Sequence, residues 1–301
     1  MKMKTVAKWI GGSLLTIVGL VLLVVVIQIV RFDRARRAIH DVPLPAITAS
    51  SDSAVSARGR HLAESFGGCV ACHGATLGGK LGEDIENILV IRAPNLTRGG
   101  RGALYSDGQL ARAIRYGVRM DGTSLVFMPT PEHNWWPDED LTAIVSYLRS
   151  LPAVEGAMEP PEVRPLGKLL HEFGIFEMLS AETVDPDATR EAVPAPEPTA
   201  RYGAFLARGC VGCHGERLSG GRIPGAPSTL PIPRNLTPHE TGLGNWTEEQ
   251  FMSLLNTGVR PDGRRLDPFM PIATVQAANE TEKRALWAYL RSLEPIAFGN
   301  R

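Results

Sequence analysis

Cys69-Val70-Ala71-Cys72-His73 and Cys210-Val211-Gly212-Cys213-His214 are two copies of one five-residue pattern, and together they use all four cysteines of the chain. Two thiols and an imidazole within about one helical turn form the C-x-x-C-H arrangement for covalent attachment of a c-type haem. The spacing follows from the chemistry. Two thioether bonds tether the porphyrin, and the histidine one residue further on becomes an axial ligand of the iron. A bare C-x-x-C also suits a redox dithiol, a disulfide or half of a zinc site. A histidine directly after the second cysteine, in both copies, argues against these alternatives. Two covalently bound haems c are therefore expected, on Cys69 and Cys72 and on Cys210 and Cys213, with His73 and His214 on the irons.

Outward from each motif the chain repeats itself. His73 and His214 are 141 positions apart, and the same offset relates Ser106 to Thr247, Gly117-Val118-Arg119 to Gly258-Val259-Arg260, and Asp121-Gly122 to Asp262-Gly263. An offset of 140 relates Asn95-Leu96-Thr97 to Asn235-Leu236-Thr237. At 142, Phe127-Met128-Pro129 meets Phe269-Met270-Pro271, and Tyr147 to Leu151 meets Tyr289 to Leu293. This drift is what small loop insertions produce, so the two regions are duplicated domains. Met128 and Met270 are the only methionines that correspond, since Met120 faces Pro261 and Met252 faces Ala111. A methionine on a proline-stiffened loop is a standard sixth ligand for a c-type haem, and the repeat selects these two.

Helix signals flank the motifs in both copies. Residues 54–65 have helical character and lead through Gly67-Gly68 into Cys69. Gly74 to Gly82 reads as irregular chain over the haem edge. Ser106-Asp107-Gly108-Gln109 and Thr247-Glu248-Glu249-Gln250 are capping boxes, each with an apolar staple, Tyr105 with Leu110 and Trp246 with Phe251. Gly117 is placed to end the first of these helices. Leu141, Ile144, Val145 and Leu148 give the stretch Asp138 to Ser150 one apolar face, and Pro152 closes it.

From Trp9 to Val30 the chain carries no charge and is apolar apart from Ser13, Thr16 and Gln28, and 22 residues of helix cross a bilayer core of roughly 30 Å. A cleaved signal has a shorter apolar core and a small-residue cleavage site, whereas this run ends in Arg31-Phe32-Asp33-Arg34-Ala35-Arg36-Arg37. An uncleaved anchor is expected.

The 32 basic and 32 acidic residues balance overall, but residues 1–37 hold seven bases and one acid. The remainder has 25 bases against 31 acids, a net of −6, with no basic patch suited to nucleic acid. The acidity lies in residues 153–198, with ten acids and three bases. Their prolines suggest a tether, interrupted by an apolar helix-like run from Leu166 to Leu179 that could pack on the haem domains, touch the bilayer or dock a partner.

His61, His133 and His171 have no counterpart in the repeat and are read as structural or solvated. Trp135-Trp136, also unrepeated, shield the first haem edge or offer a docking surface. Arg119 and Arg260 match across the repeat and suit haem propionates or solvent.

This order of elements resembles the class I cytochrome c fold: helix, C-x-x-C-H, a Pro-Asn-Leu stretch, helix, Met-Pro loop, and a last helix carrying an aromatic. The resemblance covers nearly everything from Ala54 to Pro295. It implies an all-α protein, two tandem class I cytochrome c domains preceded by one transmembrane helix. The divisions are an anchor at 1–38, a linker at 39–53, haem domains at 54–152 and 199–301, and the acidic linker at 153–198 between them. It also implies that the last helix crosses the first, bringing Gly59 and Gly203 near Tyr147 and Tyr289. The backbone carbonyl of Pro94, or of Arg234 in the second copy, would hold the other nitrogen of the haem histidine.

More narrowly, Asn235 to Thr247 and Arg260-Pro261-Asp262-Gly263-Arg264 resemble membrane-anchored cytochrome c subunits of bacterial periplasmic dehydrogenases of the alcohol, gluconate and aldehyde type. Many of those carry three haems, whereas this chain has two. The resemblance implies electron transfer from a periplasmic dehydrogenase toward quinone or a terminal oxidase. The chain would be single-pass in the inner membrane with its haem domains in the periplasm, where c-type haem is attached. A dihaem peroxidase-like enzyme, which needs an open haem, and a haem-based sensor are the alternatives.

Overall fold

The computed structural model describes residues 3–156, 159–226 and 228–301. Lys2, one of the bases flanking the apolar run, lies outside them. The chain opens with a single long helix, α1 (Met3–Ala35), of which Lys8–Ala35 is long and apolar enough to cross a membrane.

The first repeat comprises α2 (Ser53–Glu64), the short α3 (Cys69–His73), α4 (Asp107–Tyr116) and α5 (Asp138–Ser150). Its caps follow the sequence. The Asp52 carboxylate accepts from the Ala54 N–H at 2.8 Å, and Ser106 and Gln109 close a capping box at α4. Gly117, left-handed at φ +65°, ends that helix at little steric cost. All four residues of the predicted apolar face of α5 are buried, at 0–4 % exposure. They join Leu110, Tyr147 and Trp136 in the first core.

The second repeat follows the same plan with α7 (Ala200–Ala207), α8 (Val211–His214), α9 (Glu248–Thr257), α10 (Ile272–Gln276) and α11 (Glu280–Ser292). Thr247 and Gln250 form the second predicted capping box. Asn279 and Glu282 form a further box at α11.

In each repeat the first and last helices cross at a glycine. A Cβ on Gly59 would collide with the Ala143 carbonyl, and one on Gly203 with the Ala285 carbonyl and the Tyr289 side chain. The aromatic implied by the resemblance touches the second crossing, while the first centres on Ala143, one turn before Tyr147. Close backbone approach is what requires glycine here.

Three further features concern the first domain and the segments that flank it. First, the mostly helical protein also holds a small antiparallel sheet of β1 (Lys80–Ile85), β2 (Leu89–Ala93) and β3 (Glu162–Val163), paired in that order. Lys80 to Gly82 are thus strand, as Lys80 and Leu81 pair with Ala93 and Arg92. Asn87 makes the hairpin turn at φ +62°.

Second, residues 39–53 lie on the first domain. Ile47 is buried in its core, the Ala49 N–H donates to Asp107 at 2.7 Å, and the Ser50 N–H donates to the Ser146 hydroxyl at 2.8 Å.

Third, the acidic stretch is packed along much of its length. Its helix, α6 (Pro165–Glu172), covers about half of the apolar run and leans on the end of α1. Lys168 pairs with Asp33 at 2.7 Å, Glu172 with Arg31 at 3.1 Å, and His171 meets Phe32 edge-on at 5.1 Å. Beyond α6, Met178 and Leu179 enter a third core with Phe32, Leu89, Val126 and Val163. Apart from Glu172 the acids stay at the surface; of the apolar run Met178 and Leu179 turn inward, whereas Leu166, Phe173 and Ile175 remain exposed.

The two repeats are in contact. Phe66 and Trp135 of the first pack against the core of the second, Trp135 meeting Phe205 edge-on at 4.8 Å with the Arg208 guanidinium 5.1 Å from its ring. His61 donates across the junction to Glu282 at 2.8 Å, and the Tyr202 hydroxyl donates to the same carboxylate at 3.4 Å.

Candidate haem sites

In the first domain one open, mainly apolar cleft is lined by Cys69, Cys72, His73, Pro94 and Met128, with Leu96, Trp136 and Leu148 among its walls. α3 supplies the two thiols and the imidazole, and the loop after Val126 supplies the methionine. The His73 Nδ1–H donates to the Pro94 carbonyl at 2.8 Å, so the Nε2 lone pair is left for a metal. Burial holds the His73 pKa below the ordinary histidine range, although the Pro94 carbonyl favours the cation. A neutral imidazole with a fixed tautomer is what axial ligation requires.

The thiols separate the competing readings of C-x-x-C. Burial pushes both Cys69 and Cys210 up to about 12, and Cys72 and Cys213 are raised for the same reason. A redox dithiol or a zinc ligand works as the thiolate, which these raised values disfavour, although Cys72 is exposed at the cleft and the other three thiols are part-buried. A thioether carries no proton and has no such requirement. Among the described residues, no group of three or more His, Cys, Asp and Glu side chains forms a metal cage. Thiols beside an apolar slot, a histidine of fixed tautomer and a thioether on the same slot fit a c-type haem. A haem held there supplies a one-electron iron couple.

The second domain repeats half of this arrangement visibly. The His214 Nδ1–H donates to the Arg234 carbonyl at 2.7 Å, so a non-proline residue fills the role through its backbone. His214 is 7 % exposed, and burial lowers its pKa as well. Met270 is part-buried on a loop whose preceding residues, Asp267 and Pro268, are exposed.

The other singled-out residues divide by environment. Arg119 lines the first cleft, and burial lowers its pKa. Arg260 sits 3.5 Å from Asp262. His133 is buried between the Pro129 and Gly67 carbonyls, at 2.8 and 2.9 Å, bracing the Met128 loop against the glycines before Cys69. Trp136 shields the first cleft, while Trp135 faces the second domain.

Two residues at the sites carried no sequence signal. Glu132 lies against Gly212 in the second C-x-x-C-H motif, and burial pushes its carboxyl up to about 7. The Ser180 hydroxyl, 52 positions along the chain, accepts from the Met128 N–H at 3.0 Å.

A helix–C-x-x-C-H–helix unit built twice, each with a backbone carbonyl on its histidine, defines the class. The Cytochrome c family model matches residues 56–152 and 202–294, and the chain belongs to the cytochrome c family. As a cytochrome c with two such domains it carries two covalently bound c-type haems and transfers electrons. It is 35 % identical over 111 residues to the fructose dehydrogenase cytochrome subunit of Gluconobacter japonicus, a match covering 34 % of this chain and 23 % of that protein. It is 31 % identical over 118 residues to the cytochrome c subunit of a quinone alcohol dehydrogenase of Gluconobacter oxydans, covering 36 % and 25 %. With the gluconate 2-dehydrogenase cytochrome c subunit of Pantoea cypripedii it shares 30 % over 109 residues, covering 34 % and 25 %. The matched part thus spans about a quarter of each of these relatives.

Proposed function

We propose that the chain is a membrane-anchored electron carrier that accepts electrons from a periplasmic dehydrogenase and passes them toward quinone or a terminal oxidase. In this reading Cys69 and Cys72 hold one haem and Cys210 and Cys213 the other. The irons are ligated by His73 with Met128 and by His214 with Met270. α1 anchors the protein in the inner membrane, with both haem domains in the periplasm. The observation that carries it is the shared cleft of Cys69, Cys72, His73 and Met128, with His73 committed through Nδ1 to the Pro94 carbonyl. The relatives, cytochrome subunits of fructose, alcohol and gluconate dehydrogenases, support the choice of donor.

His/Met ligation leaves neither iron an open position, which suits fast outer-sphere exchange. The protein's part is then to hold both ligands still, exclude water from the apolar slot and keep the two haem domains in contact. Purification in mild detergent tests the partner: a dehydrogenase should accompany the chain, and its substrate should reduce both haems. The oxidised spectrum tests the ligands, because each thioether–iron bond gives a weak far-red charge-transfer band. A high-spin or bis-histidine haem would sink the two-methionine assignment.

A further inference from the structure

We propose that Ser180 is a positioning residue for Met128: residues 176–182 form a strap that fixes the ligand loop of the first haem to the end of the membrane helix. This rests on Met128 being an iron ligand. The Ser180 hydroxyl satisfies both sides of the Met128 backbone, accepting from its N–H at 3.0 Å and donating to its carbonyl at 2.9 Å. Ser180 is 2 % exposed. Its own N–H donates to Leu125 at 3.0 Å, and the Phe127 N–H donates to Met178 at 2.8 Å, so strap and loop run side by side.

The loop needs such a partner. Phe127, next to the ligand, sits at φ +60°, a region costly for a bulky side chain and kept only where surroundings over-determine it. The surroundings here are the strap, with the Phe176 ring 5.6 Å from that of Phe127. Met178 and Leu179 anchor the strap in the third core, whose other members include the fully buried Phe32 of α1. The chain of contacts therefore runs from the membrane helix through Met178 and Leu179 to Ser180 and Met128.

The second domain holds its loop differently. The Met270 N–H donates to the Asp267 carbonyl, at 3.0 Å, and the Phe269 N–H to the Asp267 side chain, at 2.9 Å. Among the described residues, these bonds stay within the loop itself. Phe269 is not left-handed. The duplicated ligand loops are thus supported unequally, Met128 by a distant buried serine and Met270 by a neighbouring aspartate.

The test is ligand competition on the full, haem-loaded protein in detergent, in which added imidazole displaces the thioether and erases the far-red band. Ser180→Ala removes two hydrogen bonds, each worth a factor of a few, so half of the band should vanish at roughly tenfold lower imidazole. The other half should stay where it is. Phe176→Ala, a milder loosening of the strap, should move the same half. Leu141→Ala thins the first core, away from the strap, its third-core anchor and the cleft lining, and should lower the unfolding temperature while leaving the titration alone. Ser180→Ala titrating like the parent, or both halves moving together, overturns the proposal. So does Leu141→Ala having the same effect as Ser180→Ala. A Met128→Leu protein that keeps the whole band would show instead that Met128 is not a ligand.

Discussion

The contact between the two haem domains can be weighed through Trp135. Its ring meets Phe205 at 4.8 Å and 85° and has the Arg208 guanidinium 5.1 Å away. An edge-to-face pair contributes roughly 0.5–1.5 kcal/mol beyond area burial, and a part-exposed cation–π contact about 0.5–1 kcal/mol. Fully buried Trp→Ala changes cost about 3–5 kcal/mol. Trp135 is only partly buried, so about 2–3 kcal/mol is expected for Trp135→Ala. Phe205, 7 % exposed, belongs to the second core and should cost about 3–4 kcal/mol as Phe205→Ala. Because the two rings touch, the double variant should lose about 1 kcal/mol less than the sum of the singles. Denaturant unfolding of the haem-loaded protein, followed by circular dichroism and Soret absorbance, measures all three. Trp135→Ala should also separate the transitions of the two domains, since the remaining bridge is largely His61–Glu282, Phe66 and the contact of Glu132 with Gly212. Additivity within about 0.5 kcal/mol would refute the interface, because distant, independent sites add within that error.

Other expectations follow from single contacts. The Glu282 carboxylate raises the His61 pKa, mainly through the hydrogen bond. The pair therefore stabilises below the unfolded histidine pKa of about 6.5 and loses that effect as pH rises through the higher folded value. With the ring half-exposed and screened, His61→Gln should cost less than about 1 kcal/mol at pH 6 and almost nothing at pH 9, read by thermal unfolding at each pH. Glu132 has a linkage of the same sign, from burial instead of an ion pair. A carboxyl raised to about 7 binds its proton more tightly folded than unfolded, so stability falls as pH climbs from the ordinary carboxyl range through about 7. Glu132→Gln should then be more stable than the parent at pH 8 by about 1–2 kcal/mol and equal to it near pH 4, and equal effects at both would remove burial as the cause. Gly203→Ala puts a methyl against the Ala285 carbonyl at the helix crossing. It should cost about 2 kcal/mol, or roughly 10 °C in a domain of this size, and an unchanged melting temperature would mean the helices separate freely there.

What was legible in the sequence is what the duplication wrote twice. The two C-x-x-C-H motifs, the Ser106 and Thr247 capping boxes and the apolar stripe of α5 are local patterns, and comparison of the copies reinforced the motifs and boxes. The backbone carbonyl at position 234 shows why such reasoning tolerates a changed side chain: Arg234 offers the same acceptor as Pro94. The hairpin at β1 and β2 was harder, because Leu81 faces solvent at 60 % and gives no alternation to read. The interface was invisible for another reason. Trp135, Phe205 and Arg208 become neighbours only when two domains dock, and Trp135 has no equivalent in the other copy.

The stretch 153–198 reverses the usual inference from composition. Prolines and net negative charge describe a solvated tether when averaged over the segment, yet burial is decided residue by residue. Met178, Leu179 and Ser180, at 0–2 % exposure, sit between Glu177 and Glu182, whose charges remain outside. A segment unique to one position of a duplicated protein cannot be recognised by comparing the copies, and that uniqueness allows it to make them differ. Phe32 ties it to the end of α1, and Ser180 ties it to the backbone of Met128. The two haem domains therefore share their motif chemistry but not their mechanical support. A difference between the haems in ligand lability should follow the strap, because the attachment motifs are alike.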